Sequence, residues 1–257
     1  MSGKCIEVLF SPAEYAALRA RDLSRTVCVV FDILRATTTM ITGLANGASA
    51  FIPLSEIAEA LALRQKDPHL RLAGERGGYR INAQQTGSID FDFGNSPREF
   101  TREKVEGQRI AITTTNGTRA LKACAEAAEV HIGSLRNISA LIGAVSKTPL
   151  ENILLICAGT GDEAALEDTL AAGAVCDELF LNPQSAVRNP QLQDSAQIAL
   201  STYLHHKPNL MAAANAARNG RKLLSIPELA PDVAVCFAFD SLKNTARMHK
   251  DGAIRAE

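Results

Sequence analysis

The chain has 257 residues, 46% of them hydrophobic, with 27 Lys plus Arg against 28 Asp plus Glu and a net charge of -1. That apolar content excludes a disordered chain. The balanced charge excludes a field able to hold nucleic acid or an anionic membrane without a dedicated local site.

In chain order, short β-branched runs alternate with alanine-rich segments of helical period. The strand-like runs are "CIEVLF", "TVCVVFD", "AFIPL", "LRLAG", "RIAIT", "EVHIG", "NILLICAG" and, near the end, "VAVCFAF". Between them "PAEYAALRAR", "TTTMITGLANG", "SEIAEALALRQK", "SPREFTREKV", "GTRALKACAEAAE" and "NISALIGAVSK" read as helices. This alternation predicts an α/β fold, a mostly parallel (mixed) sheet flanked by helices on both faces. After Ala158 the texture turns helical, with "DEAALEDTLAAGAVCDELF" and "DSAQIALSTYLHH" separated by "NPQSAVRNPQ", where Pro183 and Pro190 break the pattern. A helical insertion in the C-terminal third is expected. The chain reads as one domain over residues 1–257, with lobes 1–158 and 159–257 as the alternative. "ERGGYRINAQQTGSIDFDFGNSP", Glu75 to Pro97, reads as a long functional loop.

The six cysteines form no C-x-x-C pair and several sit in apolar runs, which predicts buried free thiols. The N-terminal "MSGKCIEVLF" carries Glu7 and makes a poor secretory signal. No apolar window approaches the ~18 residues of a membrane span. A cytoplasmic protein with neither nucleic acid nor membrane as partner is expected.

Four segments place polar chemistry where a strand ends, the edge at which open parallel sheets bind ligands. In "VVFDILRATTTM", Asp32 and Arg35 precede Thr37, Thr38 and Thr39 at a helix start. Hydroxyls there cap backbone amides, and those amides can hold an anion. A capped junction with an Asp–Arg ion pair reads the same way. "AITTTNGTRAL" repeats the layout through Thr114, Thr115, Asn116, Gly117, Thr118 and Arg119, without the spacing of a Walker loop. "AGERGG" offers Glu75 and Arg76, and "DFGNSP" offers Asn95 and Ser96 ahead of Pro97. "CAGTGDEAALEDTLAAG" gathers Asp162, Glu163, Glu167 and Asp168 at an expected helix start, with Glu163 and Glu167 on one face. Such acids either complement the helix dipole or supply hard oxygens for Mg²⁺. "DFDFG" lacks the buried strand approach of an aspartyl-phosphate phosphatase, no C-x₅-R loop occurs, and the five histidines have no metal spacing.

Taken in order, "VVFDILRATTT", "GERGG…DFGNSP", "TTTNGTRAL", "CAGTGDEAALEDTLAAG" and "RNGRKLLSI…DVAVC" resemble the 2-phosphosulfolactate phosphatases, from about Lys4 to Asp240. The resemblance implies a family-specific phosphatase fold and Mg²⁺-dependent hydrolysis of (R)-2-phospho-3-sulfolactate to sulfolactate and phosphate, a step of coenzyme M biosynthesis in organisms that make it. Asp32, Arg35, Thr37 and Thr38, then Glu75 and Arg76, Asn95 to Pro97, Thr114 with Asn116 to Thr118, and Glu167 with Asp168 match the family's motifs. Asp90 and Phe93 depart from its pattern, and the tail after Asp240 matches least well.

On this basis Asp32, Arg35 and Glu75 are expected to be catalytic. Thr37, Thr38, Arg76, Asn95, Ser96, Thr114, Thr115, Asn116, Gly117, Thr118 and Arg119 are expected to bind the anionic substrate. Glu75 and Asp168, with Asp32 third, are expected to hold Mg²⁺. Asp32 as nucleophile and Asp32 as base both stay open. A phosphatase for another phosphorylated hydroxy acid and a non-catalytic anion binder are the rival functions. A homodimer is the default assembly.

Overall fold

The structure is a computed structural model and describes residues 4–181, 187 and 190–257. Eleven strands form one sheet: β1 (Cys5–Leu9), β2 (Thr26–Phe31), β3 (Ala50–Leu54), β4 (Arg71–Arg76), β5 (Tyr79–Arg80), β6 (Arg109–Thr113), β7 (Glu129–Gly133), β8 (Asn152–Cys157), β9 (Gln191–Leu192), β10 (Ala246–Met248) and β11 (Ile254–Ala256). Their order is β5-β4-β6-β3-β11-β10-β7-β2-β8-β1-β9. The first seven strand-like runs of the sequence are all present, and the α/β expectation is met.

The sheet contains two parallel blocks, β4-β6-β3 and β7-β2-β8-β1-β9, joined through the hairpin β10–β11. Each of the three pairings that cross this junction is antiparallel, so the two blocks run in opposite directions. In a flat sheet their carboxyl ends would lie on opposite edges. Five pairings separate β6 from β2, and a twist of roughly 20–25° at each turns one block about 100–125° against the other. That curvature brings the end of β6 over the end of β2.

The burial pattern follows this curvature. Helices Ala36–Ala45 and Gly117–Ala123 fill the concave side, where Met40, Ile41 and Leu121 meet Cys28, Val30, Ile110 and Ile112. The outer face of the β2 block packs on Ile138–Lys147, Leu166–Cys176 and Asp194–His206 through Val27, Val29, Leu141, Leu170 and Leu200. The outer face of the β4 block packs on Ile57–Lys66 through Leu72, Ala111 and Ala60. Covered on both faces, β2 is buried at every residue.

Three readings of the sequence are corrected. "DVAVCFAFD" is not a strand: Ala230–Cys236 is a helix with Pro231 in its first turn and Asp232, Val233, Cys236 and Phe237 buried, a helical spacing. A short apolar run does not distinguish the two states by composition. The strands that complete the sheet, β10 and β11, come instead from the tail after Asp240. The segment after Glu75 is not a structureless loop. Gly77 (φ 66°) and Gly78 (φ 99°) make a two-residue turn between β4 and β5, and Ala83–Thr86 is helical. Asp162 and Glu163 do not start a helix. Gly159 and Gly161, both at positive φ, hold them in a turn bridged from Thr160 to Glu163, and the helix begins at Leu166.

All six cysteines are free, and five of them are buried. Among the described residues no helix is long and apolar enough to cross a membrane. Pro183 lies outside the described residues, and Pro190 directly precedes β9.

Candidate active site

At the end of β2 the backbone turns at once into the helix Ala36–Ala45, and Asp32 organises that turn. Its Oδ1 accepts the Ala36 N–H at 3.1 Å, while the Thr37 hydroxyl accepts the Asp32 N–H (2.9 Å) and donates to the Asp32 carbonyl (3.0 Å). The Thr38 hydroxyl donates to the Ile33 carbonyl and contacts Ser134 Oγ, and the Thr39 hydroxyl donates to the Asn95 carbonyl. The expected threonine cap is therefore provided by Asp32, and the three hydroxyls brace the fold. Thr37 and Thr38 are fully buried and do not line a cleft.

The end of β6 meets this turn from across the concave face. An added Cβ on Gly117 would lie 2.7 Å from Asp32 Oδ2 and 2.9 Å from Ala36 Cβ, so only glycine permits the approach. The Gly117 amide also donates to Asp32. Thr118 is buried and donates its hydroxyl to the Thr114 carbonyl. Glu75, at the end of β4, accepts the Thr115 N–H (3.0 Å) and hydroxyl (2.9 Å) on Oε1 and the Gly78 N–H (2.8 Å) on Oε2.

Arg35 is 3% exposed and donates to Asp232 Oδ2 at 2.6 Å and to the Gly78 carbonyl at 2.6 Å. Asp232, fully buried, also accepts the Ser96 hydroxyl (2.6 Å) and Arg98 Nε (2.7 Å). One carboxylate from the C-terminal region thus holds Arg35, which lines the cleft, together with Ser96 and Arg98 behind it. Neither Asp232 nor Arg98 is an expected site residue. The signal was present as a proline–acid pair suited to a first helical turn, but it was read as a strand.

These elements enclose an open cleft with a volume of about 190 Å³. Asp32, Arg35, Glu75, Asn95 and Thr114–Asn116 line one side. Thr160, Gly161, Asn219, Lys222, Leu223 and Ile226 line the other. The second wall was missed, because "RNGRKLLSI" contributed to the resemblance without any residue in it having an assigned role. Arg76 turns away, donating to the Glu75 carbonyl and to Thr113 Oγ1. Arg119 is exposed and, like Ser96, Gly117 and Thr118, does not line the cleft.

Behind the cleft lie two further acids. Asp168 accepts the Ile33 N–H (2.8 Å) on Oδ1 and the Gly159 N–H (3.1 Å) on Oδ2, tying β2 to β8. Glu167 accepts Asn219 Nδ2 at 2.6 Å. Burial pushes the Asp32 carboxyl up to about 7. The Ala36 and Gly117 amides oppose the rise, and the charges of Glu75 and Glu167 add to it. Burial, then the charges of Glu167 and Asp32, lift Asp168 well above the usual carboxylate range. Burial raises Glu167 as well, against the hydrogen bond from Asn219.

The expected trio of Glu75, Asp168 and Asp32 is not a ready-made metal cluster. Among the described residues no group of three His, Cys, Asp or Glu side chains stands close enough to hold an ion. Asp168 also has both oxygens on backbone amides and does not line the cleft. Two asparagines at the cleft carry orphaned oxygens. Asn95 Oδ1 and Asn116 Oδ1 are buried without a hydrogen-bond partner, and both residues line the cleft. Orphaned acceptors of this kind call for a donor, a water or a cation.

A family model described as 2-phosphosulpholactate phosphatase matches residues 14–250. The chain belongs to this family. A protein of Caldanaerobacter subterraneus subsp. tengcongensis is 35% identical over 246 residues, covering 94% of this chain and 95% of the relative. One from Nostoc punctiforme is 29% identical over 242 residues, covering 93% and 95%. One from Caldicellulosiruptor saccharolyticus is 40% identical over 163 residues, covering 62% and 64%. Each of these relatives carries the name "Probable 2-phosphosulfolactate phosphatase". Membership in the phosphatase family makes the chain a hydrolase.

Proposed function

We propose that the protein hydrolyses (R)-2-phospho-3-sulfolactate to sulfolactate and phosphate with the help of Mg²⁺. The observation that carries the reading is the meeting of Asp32, Arg35 and Glu75, from different strand ends, at one cleft lined also by Asn95 and Asn116, whose buried side-chain oxygens are unpartnered.

The residues present fit Mg²⁺, which takes hard oxygens, keeps several waters and needs only one or two carboxylates. Glu75, Asn95 and Asn116 would hold it, with Asp32 beside them. When bound, the ion supplies charge neutralisation at the phosphoryl oxygens. The protein's own groups do the rest. Arg35, pinned by Asp232, has further N–H donors for the phosphate. Thr115 and Asn116 orient the ester from the opposite strand end. Asp32, whose carboxyl lies at the end of β2 where it lines the cleft, is placed to act as the base. A water oxygen attacks phosphorus and passes its proton to Asp32. The P–O bond to the C2 oxygen of the substrate breaks, that oxygen takes a proton from solvent water to become the sulfolactate hydroxyl, and Asp32 then returns its proton to solvent.

The test is phosphate release from (R)-2-phospho-3-sulfolactate, abolished by EDTA and restored by Mg²⁺. Binding without release would leave a non-catalytic anion binder. Release from related hydroxy-acid phosphates but not from this ester would move the reading to another substrate.

A further inference from the structure

We propose that Lys222 binds the sulfonate of the substrate and sets the preference for a sulfonated tail. The proposal rests on the substrate reading above and extends it to the wall of the cleft that faces the strand ends.

The helix Arg218–Leu224 is held in place independently of any ligand. Asn219 Nδ2 donates to Thr160 Oγ1 and Glu167 Oε1, both at 2.6 Å, and Arg218 donates to the Thr160 carbonyl at 3.0 Å and pairs with Glu163. Lys222 follows Asn219 by three positions and so shares its face, and both residues line the cleft. The wall is therefore anchored at one turn and presents a cation at the next.

Charge then distinguishes Lys222 from its neighbours. Among the described residues that line the cleft, the cations are Arg35 and Lys222, and the acids are Asp32 and Glu75. Arg35 already has a counter-ion, since Asp232 lies 2.6 Å from it. The Lys222 ammonium has no ion pair or hydrogen bond among the described residues. A substrate with three acidic groups entering this cleft leaves two of them, its carboxylate and its sulfonate, without an assigned partner after Mg²⁺ and Arg35 have served the phosphate side, and Lys222 is, among the described residues of the cleft, the free cation to meet one of them.

Group shape selects the sulfonate for that partner. Arginine presents a planar fork that suits carboxylate and phosphate, whereas lysine is a compact point charge with rotatable donors. A sulfonate carries three equivalent oxygens on a tetrahedral sulfur and stays ionised, so it needs a point charge and no fork. Its sulfur also stands one bond further from the ester oxygen than the carboxylate carbon does. Leu223 and Ile226 border the same wall, and the Lys222 side chain is exposed and free to reach an incoming anion.

The test compares two esters, (R)-2-phospho-3-sulfolactate and (S)-2-phospholactate, which has hydrogen in place of the sulfonate at the same spatial arrangement around C2, in wild type, Lys222→Met and Lys222→Arg. Phosphate release is followed with Mg²⁺ present. The expected result is a rise in KM for the sulfonated ester of about 10- to 100-fold in Lys222→Met, as for loss of a charged hydrogen bond. kcat should be little changed, Lys222→Arg should be intermediate, and turnover of 2-phospholactate should stay within about twofold, which also certifies the fold. An equal loss on both esters, or no loss on the sulfonated one, overturns the assignment of Lys222 and leaves the substrate reading standing. A wild-type protein that turns over 2-phospholactate but not the sulfonated ester overturns the substrate reading and the Lys222 assignment together.

Discussion

Gly117 stands directly against Asp32, so that a methyl group built on the glycine would be 2.7 Å from Asp32 Oδ2. The contact joins the end of β6 to the end of β2, two strands of blocks that run in opposite directions. It is the point at which the curvature of the sheet becomes a site. Gly117→Ala should cost about 1–3 kcal/mol, as overpacking does, and lower turnover because Asp32 must move. Urea denaturation alongside steady-state kinetics checks this. Unchanged stability and unchanged turnover would mean that the two strand ends are not in contact in solution.

Asp32→Asn keeps the shape of the side chain and its place beside the Ala36 amide but removes the base. The expected loss in kcat is about 10³-fold, with folding retained. Rapid-quench single turnover with labelled phosphate should trap no covalent phosphoprotein in the wild type. Near-wild-type turnover of the variant would take Asp32 out of the chemistry.

Asn95→Ala and Asn116→Ala each remove an unpartnered acceptor. The Asn116 side chain makes no helix-cap hydrogen bond, so its loss leaves the fold unharmed. Each variant should bind Mg²⁺ about tenfold more weakly, in line with losses at other metal sites. Calorimetric titration of Mg²⁺ into the substrate-free protein measures this directly. Unaltered affinity in both variants would move the ion elsewhere.

Asp232→Asn leaves Arg35 buried without its counter-ion and weakens the hold on Ser96 and Arg98. Breaking a buried pair from one side costs about 3–5 kcal/mol. Thermal unfolding should show a large drop in Tm, and Ser96→Ala a much smaller one.

Asp92 gives a pH signature remote from the cleft. It accepts the Leu72 N–H and pairs with Arg64 and Arg71, fastening the Phe91–Phe93 segment that leads to Asn95. Burial works to raise its carboxyl, but the Leu72 amide and the two guanidiniums outweigh it and hold the group below its usual value. A depressed carboxylate stabilises the fold above its unfolded pKa of about 3.9, and that contribution disappears as pH falls through the lower folded value. Asp92→Asn should therefore be about 1–2 kcal/mol less stable than wild type at pH 7, with the gap closing in acid. Chemical denaturation at both pH values reads it, and a gap independent of pH would refute the linkage.

Much of the architecture was legible in the residues alone. Alternating β-branched and alanine-rich runs are local signals, and the strands β1–β4 and β6–β8 follow from them. The junctions "VVFDILRATTT" and "TTTNGTRAL" were legible as places where a strand hands polar groups to a helix. Three things were not. The run around Val233 and Cys236 is too short and apolar to choose a state by itself, and the tertiary fold made it a helix so that Asp232 could reach Arg35. β10 and β11 are three residues each, too short to announce themselves, yet they join the two halves of the sheet. Lys222 and Asn219 sit on a helix whose sequence says nothing about what it faces.

The sequence by itself determined the fold class, the family, and Asp32, Arg35, Glu75, Asn95 and Asn116 as residues of interest, because propensity and motif are carried by neighbours in the chain. Only the tertiary structure decided which polar groups stay available to a ligand. Thr37, Thr38, Arg76 and Asp168 satisfy the backbone around them, while Asn95 Oδ1 and Asn116 Oδ1 are left unpaired. That division depends on the twist summed across a sheet with opposed blocks, a quantity that no local segment encodes.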